Sequence, residues 1–354
     1  MPDAGGGAVR RNPLERMPKW LICVPLVLQW LWLGLRHRSF TLPSAANPGI
    51  TAGGLVGETK CEYFDAMGPL ARASLAPYCA LPPEARASKA AIRAAMARAG
   101  IAFPVVAKPD LGMCGFGVRR IGDEPALARY LATFPAAQTV VLQQWIPDAG
   151  EAGVFYARHP QEPTGRITGL ALRFPPQVLG DGLSTVAELI AADPRAGRAQ
   201  RSGHEIAVDC SRVPADGESV RLAMIGSTRV GGLYRDGSAC ITPDLTAAID
   251  AIAQDMRQFH FGRFDLRFPD LQALREGRGL RVMEVNGAGS EAIQAWDPDL
   301  GAAQAFGMIF AKQRVLFEIA AANRARGHRP IGLARLARLH WMQQGLLDAY
   351  PPSN

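Results

Sequence analysis

Residues 261–290 read FGRFDLRFPDLQALREGRGLRVMEVNGAGS, and the fold turns on how this stretch places its polar side chains. Arg263 and Asp265 are two residues apart, so on a strand they share a face. The second apolar run, Leu280 to Val285, is interrupted by Glu284, and Asn286 follows two residues later on the same side. A glycine-containing connection joins the two runs, which predicts a β-hairpin carrying Asp265, Glu284 and Asn286 beside an arginine. A magnesium–phosphate site needs these groups: hard oxygen ligands for the cation and a planar fork for phosphoryl oxygens. A hairpin with one solvated polar face would alternate in the same way, so the rest of the chain must discriminate.

The chain has 354 residues and is 48% hydrophobic, enough for one large domain or two ordinary ones with a sizeable core. Its formal charge of +7 sits at the two ends: residues 1–40 carry +4 and residues 312–338 carry +6, leaving the middle slightly acidic. These basic ends flank apolar helices without an interleaved aromatic–basic platform, which argues against nucleic acid as a partner. Six cysteines without short paired spacing argue against a zinc knuckle or a disulfide framework, and a reducing compartment fits best.

Upstream of the hairpin, the strand-like Phe103–Lys108 runs into PDLGMCGFG, after which Val118–Ile121 reads as a returning strand. Glycines let backbone amides approach phosphate oxygens, and Lys108 supplies charge beside them. A Gly-Lys-Ser/Thr ending and a following helix are both missing, which argues against a P-loop. The lysine precedes the glycine loop, which is not the order of a protein kinase. Ser88–Gly100, SKAAIRAAMARAG, reads as a helix capped by Ser88 and stopped by Gly100, with Lys89 in its first turn. Thr139–Ile146 reads as a strand, and another opens at Glu151. Ser184 or Thr185 caps a further helix, where Glu188 could close a capping box.

The first 18 residues are rich in Gly, Arg and Pro, which predicts an unstructured start. Trp20–Leu35, WLICVPLVLQWLWLGL, is nearly all apolar between Lys19 and Arg36. It is short for a span and carries Pro25 and Gln29, while its tryptophans and flanking cations suit a membrane interface. Interfacial attachment, a span and a packed helix all remain open. The glycine-rich Asn47–Lys60 is either a loop closing over a ligand or a connector, followed by a helix from Glu58 to about Ala73. Ile331–Leu347 is a basic amphipathic helix that could touch a membrane or pack on the body.

From Lys89 to Ser290 the order of parts resembles the ATP-grasp superfamily, in particular its carboxylate-amine ligases. The resemblance implies an α+β ATP-grasp fold, two subdomains clasping ATP, preceded here by an atypical short apolar region. It implies Lys89 and Lys108 on the nucleotide phosphates and Gly112, Gly115 and Gly117 in the loop above them. Leu142–Ile146 is similar to the adenine-edge strand, so Gln143, Gln144, Trp145 and Ile146 are implied there and Glu151 at the ribose. Gln143 stands where relatives often carry glutamate. The segment VLGDGLSTVAELI, residues 178–190, is similar to one found in cyanophycin-synthetase-like members. Asp265, Glu284 and Asn286 are implied as ligands of Mg2+ or Mn2+, and Arg263 with Lys108 as the catalytic cations.

The activity implied by resemblance is that of an ATP-dependent C–N ligase acting through an acyl phosphate on a small carboxylate and an amine. A hydroxyl-phosphorylating kinase and a membrane-tethered nucleotide-binding module are the alternatives. The expected organisation is residues 1–45 as start and apolar segment, 46–87 as connector, 88–325 as ATP-grasp domain and 326–354 as basic tail. A cytoplasmic setting, with or without attachment to the inner membrane face, and a homodimer complete the expectation. Replacing Asp265 or Glu284 by alanine should abolish turnover and largely spare the fold.

Overall fold

In the computed structural model the described residues are 12–147, 150–201, 205, 206, 208–224 and 226–354. Tyr78–Leu81 (β1), Val105–Pro109 (β2), Arg119–Ile121 (β3) and Val140–Gln144 (β4) form an antiparallel sheet in the order β1-β4-β2-β3. Gly150–Ala157 (β5) and Arg166–Phe174 (β6) belong to a second sheet, and Gln177–Leu179 (β7) pairs with Ser219–Arg221 (β8) as a separate ribbon. Leu233–Asp236 (β9), Phe261–Phe268 (β10) and Arg281–Asn286 (β11) complete the second sheet, ordered β11-β10-β5-β6-β9. The chain is α+β, as expected.

Period-two alternation sorts the larger sheet into two chemically distinct faces. Ala152 and Val154 of β5, Leu170 and Leu172 of β6, Phe264 and Leu266 of β10, and Val282 and Val285 of β11 enter one buried apolar cluster. The opposite face carries Glu151, Arg173, Arg263, Asp265 and Arg267 beside Gly153, Phe155 and Ala171. Opposite that face stands the smaller sheet, whose far side packs Val105, Ala107, Val140 and Leu142 into a second cluster with helices Lys89–Arg98 and Glu124–Thr133.

The expected hairpin forms as β10 and β11, joined through the short helix Leu271–Arg275. The expected capping box is present, with Thr185 as cap and Glu188 closing it. The β-branched and apolar pattern of 220–225 predicts a strand there, which in the structure runs only from Ser219 to Arg221, and Ile225 lies outside the described residues. The helix expected over 58–73 is two helices, Lys60–Asp65 and Pro69–Ser74, because Pro69 has no N–H to continue the first.

Residues 1–11 of the expected unstructured start lie outside the described residues. The rest of it is ordered: Pro13–Arg16 is a short helix, and Glu15 pairs with Arg195 at 3.3 Å and Arg198 at 2.7 Å. The apolar segment forms a helix, Lys19–Arg36, with one side against helix Ala302–Ala325. Trp30 meets Phe317 edge-to-face at 5.1 Å, and the Gln29 amide donates to the Phe310 carbonyl at 3.0 Å. The other side is bare, with Trp20, Leu28, Trp32 and Leu35 between 52% and 69% exposed.

The Asn47–Lys60 stretch is packed down rather than splayed. The Asn47 carboxamide accepts from the backbone N–H of His260 and Phe261 and donates to the carbonyls of Gly53 and Phe261, all within 3.0 Å. Gly54 lies so near Gly287 that a β-carbon would come within 2.6 Å of its Cα. Loop and β11 exit are thereby locked together, and Leu55, Glu58 and Lys60 face the cleft between the sheets.

Candidate active site

The charged face of the larger sheet follows from strand register. Asp265 on β10 stands directly opposite Glu284 on β11, and Arg263 opposite Asn286. On the other flank, Asp265 stands opposite Gly153 and Arg267 opposite Glu151. Gly153 matters because a β-carbon there would come within 3.0 Å of Arg263 Cδ. Without that methyl the arginine lies flat along the sheet: its Nε and a terminal nitrogen donate to the two oxygens of Asp265 at 2.6 and 2.9 Å.

Asp265 is 5% exposed and has a second cation, Arg173 from β6, at 3.2 Å. Burial alone would raise its pKa, yet Arg263 and Arg173 outweigh burial and hold the carboxyl below the usual carboxylate range. Arg173 also pairs with Glu151 at 3.1 Å, and Glu151 reaches Arg267 at 3.6 Å. Arg267 stacks over Trp145 at 4.4 Å and donates to the Ile146 carbonyl at 2.8 Å. One chain of alternating charge therefore links β10, β6 and β5.

Lys108 reaches across from β2. Its ammonium donates to Gln143 Oε1 at 2.8 Å and to the Met283 carbonyl of β11 at 2.9 Å. Burial lowers its pKa to about 8, with Glu284 opposing that shift. Between β2 and β3 the chain turns through a glycine loop in which Cys114, Gly115 and Gly117 have positive φ. Arg229 fastens this loop, stacking 4.4 Å over Phe116 and donating to the carbonyl oxygens of Cys114 and Gly115. Lys108, Gly112, Gly115 and Phe116 line one side of a cleft of roughly 1300 Å³, with Asp265, Glu284 and Asn286 on the opposite wall. Lysine and glycine loop on one antiparallel sheet thus oppose an acid–arginine row on another, with an α+β lobe behind each.

The fold is α+β, with two antiparallel sheets facing one cleft.

No family model matches the chain, and no curated protein sequence does. Among solved structures the chain is similar to a bifunctional glutathione synthetase from Pasteurella multocida, at 17% identity over 75% of this chain and 38% of that one, TM-score 0.36. It is similar to D-alanine–D-alanine ligase from Bacillus anthracis, at 15% identity over 79% and 71% of the two chains, TM-score 0.41. A third is VanG D-Ala:D-Ser ligase from Enterococcus faecalis, at 14% identity over 75% and 62%, TM-score 0.41. The matched region is well under half the length of the glutathione synthetase.

In this cleft, Lys108, Gly112, Gly115, Gln143, Trp145, Glu151, Arg263, Asp265, Glu284 and Asn286 all reach the lining. Gln143 is fully buried, with its carboxamide held by Lys108 and the Ala76 carbonyl. Gln144 turns to the backbone of Ala102 and Pro104, and Ile146 contributes its carbonyl to Arg267. Gly117 shapes the loop behind the lining. Lys89 is exposed in the first turn of its helix and is not brought to the cleft.

Another lysine occupies the cleft instead. Lys60 is 8% exposed, its ammonium lies 3.4 Å from Glu284 Oε1, and a β-carbon on Gly112 would come within 3.3 Å of it. Beside it burial raises Glu58 to about 6, and one of its oxygens has no hydrogen-bond partner among the described residues. Lys312, from helix Ala302–Ala325, also lines the cleft and is lowered by burial to about 8. Sequence reasoning missed Lys60, Glu58, Arg173 and Lys312 as site residues. The one local signal was Arg173 itself, a charge in the otherwise apolar run Leu170–Phe174.

Among the described residues no three His, Cys, Asp or Glu side chains cluster to hold a metal. The donor set fits a hard cation when the Asn286 side-chain oxygen is the third member: its amide nitrogen donates to Asp265 at 3.4 Å, and Glu284 pairs with Lys60.

Proposed function

We propose that the protein is an ATP- and magnesium-dependent ligase joining a carboxylic acid to an amine. The supporting observation is the facing of Lys108, Lys60 and the glycine loop against Arg263, Asp265, Glu284 and Asn286 across one cleft. A carboxylate is a poor acyl donor because oxide is a poor leaving group. One of its oxygens therefore attacks the γ-phosphorus of ATP, the bond to the β,γ-bridging oxygen breaks, and ADP departs. The amine nitrogen then attacks the acyl carbon, the carbon–oxygen bond to phosphate breaks, and inorganic phosphate and one proton are released.

Asp265, Glu284 and Asn286 would hold magnesium or manganese, which when bound neutralises charge on the phosphate oxygens. Lys108 and Lys60 bind phosphoryl oxygens from the glycine-loop side, Lys60 in the place expected for Lys89. Arg263, fixed by Asp265, sets its positive charge beside the transferring group. Gln143, Gln144, Trp145 and Ile146 form the nucleotide-base wall, and Glu151 reaches the ribose. Glu58, poised near neutrality, accepts the amine proton. Backbone of the glycine loop, fastened by Arg229, screens the acyl phosphate from water.

The bare stripe of helix Lys19–Arg36, with exposed Arg16, Lys19, Arg36 and Arg38 around its ends, seats the protein on an anionic membrane surface. The helix is long and apolar enough to cross a membrane by length and composition only. The decisive experiment measures ADP and phosphate release with ATP, magnesium and pooled acids and amines, with mass spectrometry of the products. A product one water lighter than its parents establishes the ligase. ADP release with phosphate retained on a hydroxyl establishes a kinase and overturns it.

A further inference from the structure

The cleft does not end at the phosphate site. The same cavity runs on between helices Lys19–Arg36 and Ala302–Ala325, where Ile22, Leu26 and Trp30 face Ile309 and Leu316. At roughly 1300 Å³ it exceeds the ~300–1,000 Å³ of an ordinary small-molecule pocket, so it has room for a second ligand beside a nucleotide. The apolar helix thus has two working sides: Trp20, Val24, Leu28 and Leu31 point outward, while Ile22, Leu26 and Trp30 wall the cavity. The wall is fixed in place, because Gln29 and Gln313 each donate to a carbonyl of the facing helix.

Where this apolar channel meets the charged row stand two cations, Arg263 and Lys312. Lys312 lies on the same helical face as Ile309 and Leu316, and no carboxylate comes within 4.0 Å of its ammonium among the described residues. We propose that the acid substrate is an amphiphile: a carboxylic acid with an apolar chain, its carboxylate held by Lys312 and Arg263 and its chain laid along Ile22, Leu26 and Trp30. This rests on the ligase reading, since the carboxylate so held is the one that receives the γ-phosphoryl. A small polar acid would leave the channel wall wet and gain nothing from it.

The test uses the full chain, ATP, magnesium and hydroxylamine as amine. Hydroxylamine attacks an acyl phosphate to give a hydroxamate, phosphate and a proton. The probes are straight-chain saturated carboxylic acids from two to fourteen carbons, kept below their micelle concentrations, and the same acids dissolved in phosphatidylcholine vesicles to separate a monomeric from a bilayer source. Apparent affinity should rise about three- to fourfold per methylene through the middle of the series in at least one presentation. Lys312→Met should weaken the acids at least tenfold and leave binding of chain-matched alcohols unchanged. Leu26→Arg should abolish the length dependence, and Cys23→Trp, at an exposed position on the channel side, should shorten the optimum chain if Leu26→Arg fails to fold.

Hydroxamate formation that is strongest with short polar acids and indifferent to chain length would overturn the amphiphile and leave the ligase standing. Length-dependent binding of acids without ADP release would retain the channel and overturn the ligase. Absence of both acid binding and length dependence overturns the proposal outright.

Discussion

The ammonium of Lys60 lies 3.4 Å from Glu284 Oε1, so a residue from the loop before the first sheet completes a site built on the last strand of the second. The locking of that loop to the β11 exit through Gly54 and Gly287 holds the pair in place. Lys89, which the resemblance offers for the same duty, is solvent-exposed.

Lys60→Met should weaken MgATP binding by about 10- to 100-fold, the worth of one charge-assisted hydrogen bond of about 1.5–3 kcal/mol. Lys89→Met should leave binding within twofold of the parent. Titration calorimetry of both variants decides it; equal losses would return the phosphate role to Lys89.

Asp265 and Glu284 should behave differently although both are expected metal ligands. Asp265 is buried between Arg263 and Arg173, so Asp265→Ala strands Arg263, leaves Arg173 to Glu151, and should cost about 3–5 kcal/mol of stability. The expectation that this substitution largely spares the fold therefore changes. Glu284 is a third exposed and among the described residues pairs with Lys60 alone, so Glu284→Gln should lower magnesium-dependent turnover at least 100-fold while moving the urea midpoint little. A Glu284→Gln protein with parental turnover would remove it from the metal site.

His260 is buried, its Nδ1 has no partner among the described residues, and burial together with Arg158 and Arg326 lowers its pKa to about 4. The unfolded chain binds this proton near pH 6.5, before the folded one does. Stability should consequently decline as pH falls from about 6.5 towards 4, by on the order of 3 kcal/mol at most, and this share should be absent above pH 7. Denaturant melts at pH 7 and pH 5 on the parent and on His260→Phe measure it; an identical slope in both would show that other groups carry the decline.

Replacing Trp20, Leu28 and Trp32 together by serine should abolish co-sedimentation with vesicles containing anionic lipid and leave MgATP affinity unchanged. These side chains are more than half exposed and lie on the side of the helix away from Trp30. Retained sedimentation would place the membrane contact elsewhere or remove it.

Local pattern was enough for the hairpin, the glycine loop and the Thr185–Glu188 capping box. In each case two or more residues at fixed spacing share a face or a turn, and backbone geometry alone sets their meeting. The acid–arginine row was legible for the same reason at Arg263, Asp265, Glu284 and Asn286. Arg173 joins it only because β6 pairs with β5 in a register that places Ala171 opposite Gly153. Gln143 looks like a base-contacting residue by position, and only the approach of Lys108 shows how its carboxamide is held.

The sequence by itself determined the α+β class, the polar face of the hairpin and an apolar segment too uniform to show which side would be covered. Tertiary structure alone decided which lysine enters the cleft, what faces the N-terminal helix and where the channel runs. Helical and strand periods specify which residues share a face, whereas the partner of that face depends on packing between segments hundreds of residues apart. Lys60 and Glu284 are such a pair, and no period in the chain relates them.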